Sequence, residues 1–171
     1  MAERKRLVRR WSLTTAVGAA WLLLASTAGA FQFKDEAGKF TVRFPAEPAL
    51  DKREGDSPSG PIVHYTWEID IADRHFSVTY TEHSKPPVKD YDKNVKSFLA
   101  IAKGKLIRQA KIEQNGVDGV EVVTLLPDNK VMRQRLFQVG NRLYQAVYGG
   151  PFGTETRADV ETFMQSFKLL K

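Results

Sequence analysis

The sequence predicts an α+β protein, built as an α/β/α sandwich with a central, largely antiparallel sheet and two main helices. Most strand-like segments follow one another through short turns, which favours antiparallel pairing. Two segments with helical periodicity are separated by these strands, as in α+β proteins. The segment Val120–Leu126 is apolar at both odd and even positions, which indicates a strand covered on both faces of the sheet.

The first strand of the mature chain is predicted at residues 40–44. Phe40, Val42 and Phe44 alternate with polar residues, and Pro45 ends the run. The following segment, Asp51–Pro61, is charged and rich in glycine, proline and serine, so it predicts an exposed loop.

A β-hairpin centred on Ala72-Asp73 is predicted from alternating residues on both sides of this dipeptide. The large apolar positions are Val63, Tyr65, Trp67, Ile69, Ile71, Phe76, Val78 and Tyr80. A two-residue turn pairs Ile69 with Phe76, Trp67 with Val78 and Tyr65 with Tyr80, which puts all of these side chains on one face. We therefore expect Tyr65 and Trp67 to be buried and the alternate face to be more exposed, at His64, Thr66 and Glu68.

Two helices are predicted from apolar spacing. The first follows Lys85-Pro86-Pro87, with Asp90 or Asp92 as its N-cap and Gly104 at C′; its apolar stripe is Tyr91, Val95, Phe98, Leu99 and Ala102. In the second, Thr156 and Asp159 resemble a capping box, and the apolar set is Val160, Phe163, Met164 and Phe167.

Four further strands are predicted between the helices, and a short one after them. The first four are Leu106–Gln114, Val120–Leu126, Val131–Val139 and Arg142–Tyr148, and the last is Phe167–Leu170. Turn residues separate the four at Asn115-Gly116, Asp128-Asn129 and Gly140-Asn141. The segment Gly149–Gly153 predicts an ordinary glycine/proline turn.

The first thirty residues predict a secretory signal peptide. Five basic residues precede an uncharged, largely apolar stretch, Trp11–Ala25, which ends before the A-x-A site Ala28-Gly29-Ala30. Cleavage after Ala30 would release residues 31–171 as a single domain in the periplasm. An uncleaved anchor is the alternative, but the stretch is shorter than the roughly 20 apolar residues that span a bilayer. We expect no stable membrane span after cleavage.

The net charge bears on whether the protein binds nucleic acid, and the cysteine content on whether disulfides stabilise it. The chain carries a net charge of +6, of which residues 1–30 contribute +4, so the mature part carries +2. That small charge does not favour nucleic-acid binding. The chain contains no cysteine, so its core must hold it without disulfides.

Several segments resemble the PsbP-like superfamily of small exported proteins. They are Gly38–Pro45, the Tyr65/Tyr80 hairpin, Gly116–Glu121, Arg135–Phe137 with Arg142–Tyr144, and Phe163–Leu169. The resemblance implies an antiparallel sheet between helices. Relatives include photosystem assembly subunits, a nuclear import accessory protein and uncharacterised envelope proteins, so it implies a binding or assembly role more than an enzyme.

Two arginines in the last hairpin form a candidate binding site. A Gly140-Asn141 turn places Arg133 opposite Tyr148, Arg135 opposite Ala146, and Phe137 opposite Tyr144. An anion or a protein partner could bind Arg133, Arg135, Tyr144 and Tyr148 by charge and stacking. The alternative is that the arginine stems cover apolar sheet while their charged ends reach water.

Two histidines form a candidate metal site. In the predicted register His64 lies opposite Thr81, and His83 is its diagonal neighbour on the same face, close enough for two imidazoles to share a metal ion. No third ligand is evident, because Glu82 points to the other face. The alternative is that both histidines are solvated or covered by a helix.

The sequence contains no GxSxG, HExxH, P-loop or GxGxxG motif, so it predicts neither an enzyme nor a cofactor. The leading hypothesis is a non-catalytic periplasmic accessory protein that binds another envelope protein. Two alternatives are a carrier of a small apolar envelope molecule and a weak metal-binding protein.

Overall fold

A computed structural model describes residues 30–58 and 60–171, so the predicted signal peptide, at residues 1–30, lies outside them except for Ala30. Ten strands and two helices occupy the described residues. In order they are β1 (Phe31–Asp35), β2 (Phe40–Phe44), β3 (Ala49–Ser57), β4 (Gly60–Ile71), β5 (Arg74–His83), α1 (Tyr91–Ala102), β6 (Lys105–Gln114), β7 (Val117–Leu126), β8 (Lys130–Val139), β9 (Arg142–Pro151), α2 (Ala158–Ser166) and β10 (Lys168–Leu169). Among these residues, neither helix is long and apolar enough to cross a membrane.

The strands form two antiparallel sheets. The larger one has seven strands in the order β3-β4-β5-β9-β8-β7-β6, and the smaller one has three in the order β1-β2-β10. Every consecutive pair in the large sheet is a hairpin except β5 with β9, which α1 and three strands separate in sequence. Mostly antiparallel sheets with two helices confirm the predicted α+β sandwich.

The two faces of the large sheet are covered differently. The main core lies between this sheet, α2 and the small sheet, and it contains Phe40, Phe76, Val123, Phe137 and Phe163 among others. On the opposite face, Val95 of α1 packs with Val120, Val122 and Leu136. Alternate residues of β7 therefore enter different cores, which explains why this strand is apolar at both odd and even positions.

The predicted hairpin has the predicted register. Ile69 pairs with Phe76, Trp67 with Val78, and Tyr65 with Tyr80. The turn at Ala72-Asp73 has two residues, and Ala72 takes a positive φ of 55°.

The expectation that Tyr65 and Trp67 are fully buried is wrong. Tyr65 and Trp67 pack against the main core but are half-buried, and so are His64, Thr66 and Glu68 on the alternate face. Strand β4 is second from the sheet edge, so the core around Trp67 is thin. The small sheet contacts Trp67 through aromatic rings such as Phe33. On the alternate face, cross-strand hydrogen bonds draw polar side chains together and reduce their exposure.

The loop predicted at Asp51–Pro61 is wrong, because residues 51–57 belong to β3 and residues 60–61 to β4. Strand β3 pairs along its whole length with β4, so hydrogen bonding to a neighbour overrides a composition typical of loops. Its charges form exposed pairs along the strand, such as Arg53 Nε with Asp51 Oδ2 at 2.6 Å. Charged side chains are a common protection for the edge of a sheet. Strand β1 was not predicted, because its alternation contains only two apolar residues, Phe31 and Phe33, whereas β2 contains three.

The first helix begins at its predicted cap, and its C-cap is Lys103, which puts Gly104 at the predicted C′ position. Asp90 accepts a hydrogen bond from the Lys93 amide at 2.9 Å. The left-handed conformation at the end of the helix, with φ of 50°, is taken by Lys103. Gly104 is needed for space, because a Cβ there would lie 2.5 Å from Cγ2 of Thr124.

The capping box predicted for the second helix does not form. Arg157 is the N-cap residue of α2 and provides no side-chain cap. Asp159 forms an ion pair with Arg74 of β5 instead. Its carboxylate is therefore bound to the sheet and does not cap the helix.

Candidate functional site

The arginine pair lies where the sequence placed it. Strands β8 and β9 pair Arg133 with Tyr148, Arg135 with Ala146, and Phe137 with Tyr144. Both tyrosine rings are buried in the main core, and the Tyr148 hydroxyl hydrogen-bonds Thr154 Oγ1 at 2.5 Å. The tyrosines therefore belong to the core and do not form an exposed stacking surface.

Carboxylates of the same chain bind both guanidinium groups. Strand β7 brings in Glu121, whose Oε2 accepts hydrogen bonds from Arg135 Nε at 2.7 Å and Arg133 Nη2 at 3.2 Å. Its other oxygen accepts from Arg108 Nη2 at 2.8 Å. Arg133 Nη1 also donates to Glu161 Oε1 of α2 at 2.5 Å. We call these five residues the ion cluster: Arg108, Glu121, Arg133, Arg135 and Glu161.

The ion cluster joins the sheet to α2. Besides its bond to Glu161, Arg133 donates to the carbonyl oxygen of Glu155 at 3.0 Å, just before the helix. Arg135 Nη1 donates to the carbonyl oxygen of Met164 at 2.6 Å, near the end of the helix. These contacts fix both ends of α2 over β7 and β8.

The ion cluster is charged at neutral pH. The side chains of Glu121 and Arg133 are each 5% exposed, so the alternative that both charged ends reach water is wrong for Arg133. Burial disfavours the ionised form of Glu121, but the hydrogen bonds and charges of Arg135 and Arg133 outweigh it and lower the pKa of this carboxyl. Hydrogen bonding to Arg133 likewise lowers the pKa of Glu161. No carboxyl of the cluster is held protonated as a proton donor.

The histidine pair also has the predicted arrangement. His64 lies opposite Thr81, and its Nδ1 is 2.8 Å from Thr81 Oγ1. Both ring nitrogens of His83 are buried and lack a hydrogen-bond partner among the described residues. Burial, and then the charge of His64, lower the pKa of His83, which keeps this imidazole neutral at pH 7. No group of three metal-ligating side chains occurs within residues 30–58 and 60–171.

The two histidines belong to a larger polar surface on the outer face of β4 and β5. We call it the histidine face: His64, Thr66, Glu68, His75, Thr79, Thr81 and His83. Cross-strand contacts order it, such as Thr66 Oγ1 to Thr79 Oγ1 at 2.9 Å. None of its side chains belongs to either hydrophobic core. The helix on this side of the sheet, α1, packs further along the sheet, on β7 and on Leu136 of β8.

The aromatic residues that could line a carrier pocket contact one another instead. Ring centroids are 4.7 Å apart for Tyr65 and Tyr80, and 5.4 Å apart for Phe40 and Trp67. The surface grooves of the described residues are lined by both polar and apolar side chains; one of them lies between the start of α1 and β6, beside Lys89 and Lys111.

Comparison with known proteins identifies the fold. No family model matches the chain, and no curated protein does. The solution structure of cyanobacterial PsbP (CyanoP) from Synechocystis sp. PCC 6803 matches with a TM-score of 0.57 over 85% of this chain and 95% of that chain. The fold is PsbP-like. At 13% sequence identity the likeness concerns the fold alone.

A second structure is more distant. It is a protein of unknown function from Pseudomonas aeruginosa, PA94, described as a putative regulator. The match spans 77% of this chain and 86% of PA94, at 10% sequence identity. Its TM-score of 0.36 is too low to support any inference about this chain. The PsbP-like fold therefore rests on the cyanobacterial structure and agrees with the resemblance seen in the sequence.

Proposed function

We propose that this chain is a non-catalytic accessory protein of the periplasm that binds another envelope protein. The histidine face, which belongs to neither hydrophobic core, carries this proposal. It is a half-buried sheet surface on which polar side chains are already held by cross-strand hydrogen bonds. Docking of a partner there costs little side-chain entropy, because the contacted side chains are already ordered.

The state of the ionisable groups supports a non-catalytic role. Glu121 and Arg133 are the most deeply buried charged groups of the described chain, and their partners neutralise them and hold them ionised. General acid–base catalysis needs a group whose pKa lies near the working pH and that can reach a substrate. Glu121 is buried beside α2 and has a lowered pKa, so it is suited to holding the helix in place.

The PsbP-like fold supports an accessory role by analogy. The similar solved structure is that of a cyanobacterial PsbP, and the sequence resemblance implies relatives that bind or assemble with other proteins. The predicted signal peptide supports the periplasmic location.

Affinity capture tests the proposal directly. The tagged full-length protein is isolated from the periplasmic fraction, in parallel with the variants T66R and T156R. Thr66 lies on the histidine face, whereas Thr156 is exposed before α2, so the two variants add the same side chain to different surfaces. We expect a stoichiometric partner with the wild type and with T156R, and its loss with T66R.

Two results would overturn the proposal. Equal capture by T66R and T156R would exclude the histidine face as the docking surface. Reproducible turnover of a substrate by the pure protein would exclude the non-catalytic role, and recovery of the mature protein only outside the periplasm would exclude the location.

A further inference from the structure

Positive charge is concentrated in one part of the chain, from the segment before α1 to the middle of β6. Residues 85–111 contain seven lysines and one arginine but only two acidic residues, Asp90 and Asp92, which gives a net charge of +6. The rest of residues 31–171 carries −4. The small net charge of the mature chain therefore hides a strong asymmetry.

Most of these lysines have no ion-pair partner. Among the residues that the structure describes, Lys89 pairs with Asp118 at 3.8 Å, and Arg108 belongs to the ion cluster. The other six are exposed and form no ion pair in that part of the chain: Lys85, Lys93, Lys96, Lys103, Lys105 and Lys111. Their charges are free to attract an anionic surface.

Exposed aliphatic side chains accompany the lysines. Val88 is 86% exposed just before α1, and Ile101 is 83% exposed near its end. Leu106 and Ile107, at the start of β6, are also exposed. The two aromatic residues of α1 are half-buried, and Tyr91 donates a hydrogen bond to the carbonyl oxygen of Asp118 at 2.8 Å.

The fold places these residues on one side of the molecule. Helix α1 buries Val95 against the sheet, which turns Lys93 away from the sheet and leaves Lys96 exposed on the flank of the helix. Asp92 accepts a hydrogen bond from Gln109 of β6 at 2.7 Å, so β6 lies beside the helix. We call this surface the basic face: Val88, Lys89, Lys93, Lys96, Ile101, Lys103, Leu106 and Lys111.

We propose that the basic face binds the surface of an anionic phospholipid bilayer, with α1 parallel to the membrane. The apolar stripe of α1 faces the sheet, so the membrane contact comes from the exposed side chains: binding to an anionic bilayer surface grows with the charge attraction and with the apolar area that enters the interfacial region. Each lysine near an anionic surface adds about 1 kcal/mol, without the fixed geometry that a bidentate arginine needs. Such a contact is peripheral and needs no membrane-spanning helix.

The composition of the basic face argues against other anionic partners. Protein interfaces are enriched in arginine and aromatic residues and depleted in lysine, which is the reverse of this surface. Proteins that bind single-stranded nucleic acids stack bases on exposed aromatic rings, and the basic face offers none. A bilayer needs neither feature.

Vesicle co-sedimentation of residues 31–171 tests the proposal. The vesicles contain either phosphatidylcholine alone or phosphatidylcholine with 40% phosphatidylglycerol, as a stated probe of anionic lipid. We expect binding only to the anionic vesicles and its loss in high salt, because salt screens the attraction. The variant K93Q/K96Q should bind about 30-fold more weakly, since each lysine contributes about fivefold.

Matched variants separate the basic face from general charge. K130Q/K168Q removes two exposed lysines elsewhere and should bind like the wild type. V88S/I101S should weaken binding, because the aliphatic side chains enter the interfacial region. T66R, which changes the histidine face, should still bind vesicles, so failure of this proposal is distinguishable from failure of the proposed partner docking.

Several outcomes would overturn the proposal. They are equal binding to neutral and anionic vesicles, equal losses in K93Q/K96Q and K130Q/K168Q, and unchanged binding of V88S/I101S. Binding to a soluble polyanion such as polyaspartate without any binding to anionic vesicles would show that the basic face takes an acidic protein instead.

Discussion

Replacing Glu121 with glutamine keeps the shape of a buried side chain and removes the charge that three arginines share. Glu121 contacts Arg108, Arg133 and Arg135, and its side chain is 5% exposed. Removing one partner from a buried ion pair typically costs about 3–5 kcal/mol, because the other charge stays buried. Arg133 keeps Glu161 and Arg135 keeps the Met164 carbonyl, so we expect about 3 kcal/mol for E121Q, at the lower end of that range.

Urea unfolding of residues 31–171 at pH 7 measures this cost, with E161Q as the control. Glu161 contacts Arg133 from a more exposed position, where ion pairs contribute about 1 kcal/mol or less, so E161Q should cost less than E121Q. The pKa of Glu121 is lowered in the folded state, so its stabilising effect is present above its ordinary pKa and is lost as the pH falls through the folded value. The stability difference between wild type and E121Q should therefore shrink on acidification.

Replacing the buried pair as a unit provides a second test of the same explanation. The double variant E121L/R133M removes both charges and fills the space with apolar atoms, and it should be less destabilised than the sum of its single variants. A cost below about 1 kcal/mol for E121Q, or an additive double variant, would refute the view that unpaired buried charge dominates.

Three further predictions concern packing and the histidine face. W67A should cost about 3 kcal/mol and T66A about 1 kcal/mol or less in urea unfolding, because Trp67 contacts aromatic rings of the main core whereas Thr66 makes one cross-strand hydrogen bond; equal costs would contradict the assigned faces. The stability of H83L relative to the wild type should rise as the pH falls from about 6.5 toward the lowered folded pKa, because over this range His83 binds a proton in the unfolded wild type but not in the folded one; parallel stability curves from pH 5 to 8 would contradict this. G119A should be destabilised by a few kcal/mol, because its Cβ would lie 2.5 Å from the Leu136 carbonyl oxygen and from the Phe137 ring; a thermal midpoint equal to that of the wild type would show that β7 and β8 can separate at no cost.

Elements that carry their own periodicity could be predicted from the sequence. The β4–β5 hairpin and its register followed from alternation around a two-residue turn, and α1 followed from its apolar stripe and Asp90. Strand β3 could not be predicted in this way. Its alternation is weak and its composition is typical of a loop, so only pairing with β4, which is a tertiary contact, makes it a strand.

The ion cluster depends on a detail of one turn. Arg133 and Arg135 were placed correctly because the Gly140-Asn141 turn has two residues. The β7–β8 connection has three residues, since Leu126 pairs with Lys130, and this register puts Glu121 opposite Arg135. A two-residue turn at Asp128-Asn129 would have paired Glu121 with Leu136. The sequence did contain one signal for the cluster: Glu121 is a charged residue inside an otherwise apolar strand, and a buried charged residue usually has a partner of opposite charge.

The small sheet has a consequence for when the chain can finish folding. Strand β2 lies between β1 and β10, so one of its two neighbours comes from residues 168–169 at the far end of the chain. Gln114 also donates a hydrogen bond to the carbonyl oxygen of Phe167, just before this strand, and Asn115 donates one to the carbonyl oxygen of Leu169 within it. Contacts between the two ends of a sequence form late, because they close the largest loop. Residues 168–169 must leave the ribosome before Phe40 and Phe44 can be fully enclosed, so the small sheet stays incomplete until that point of synthesis.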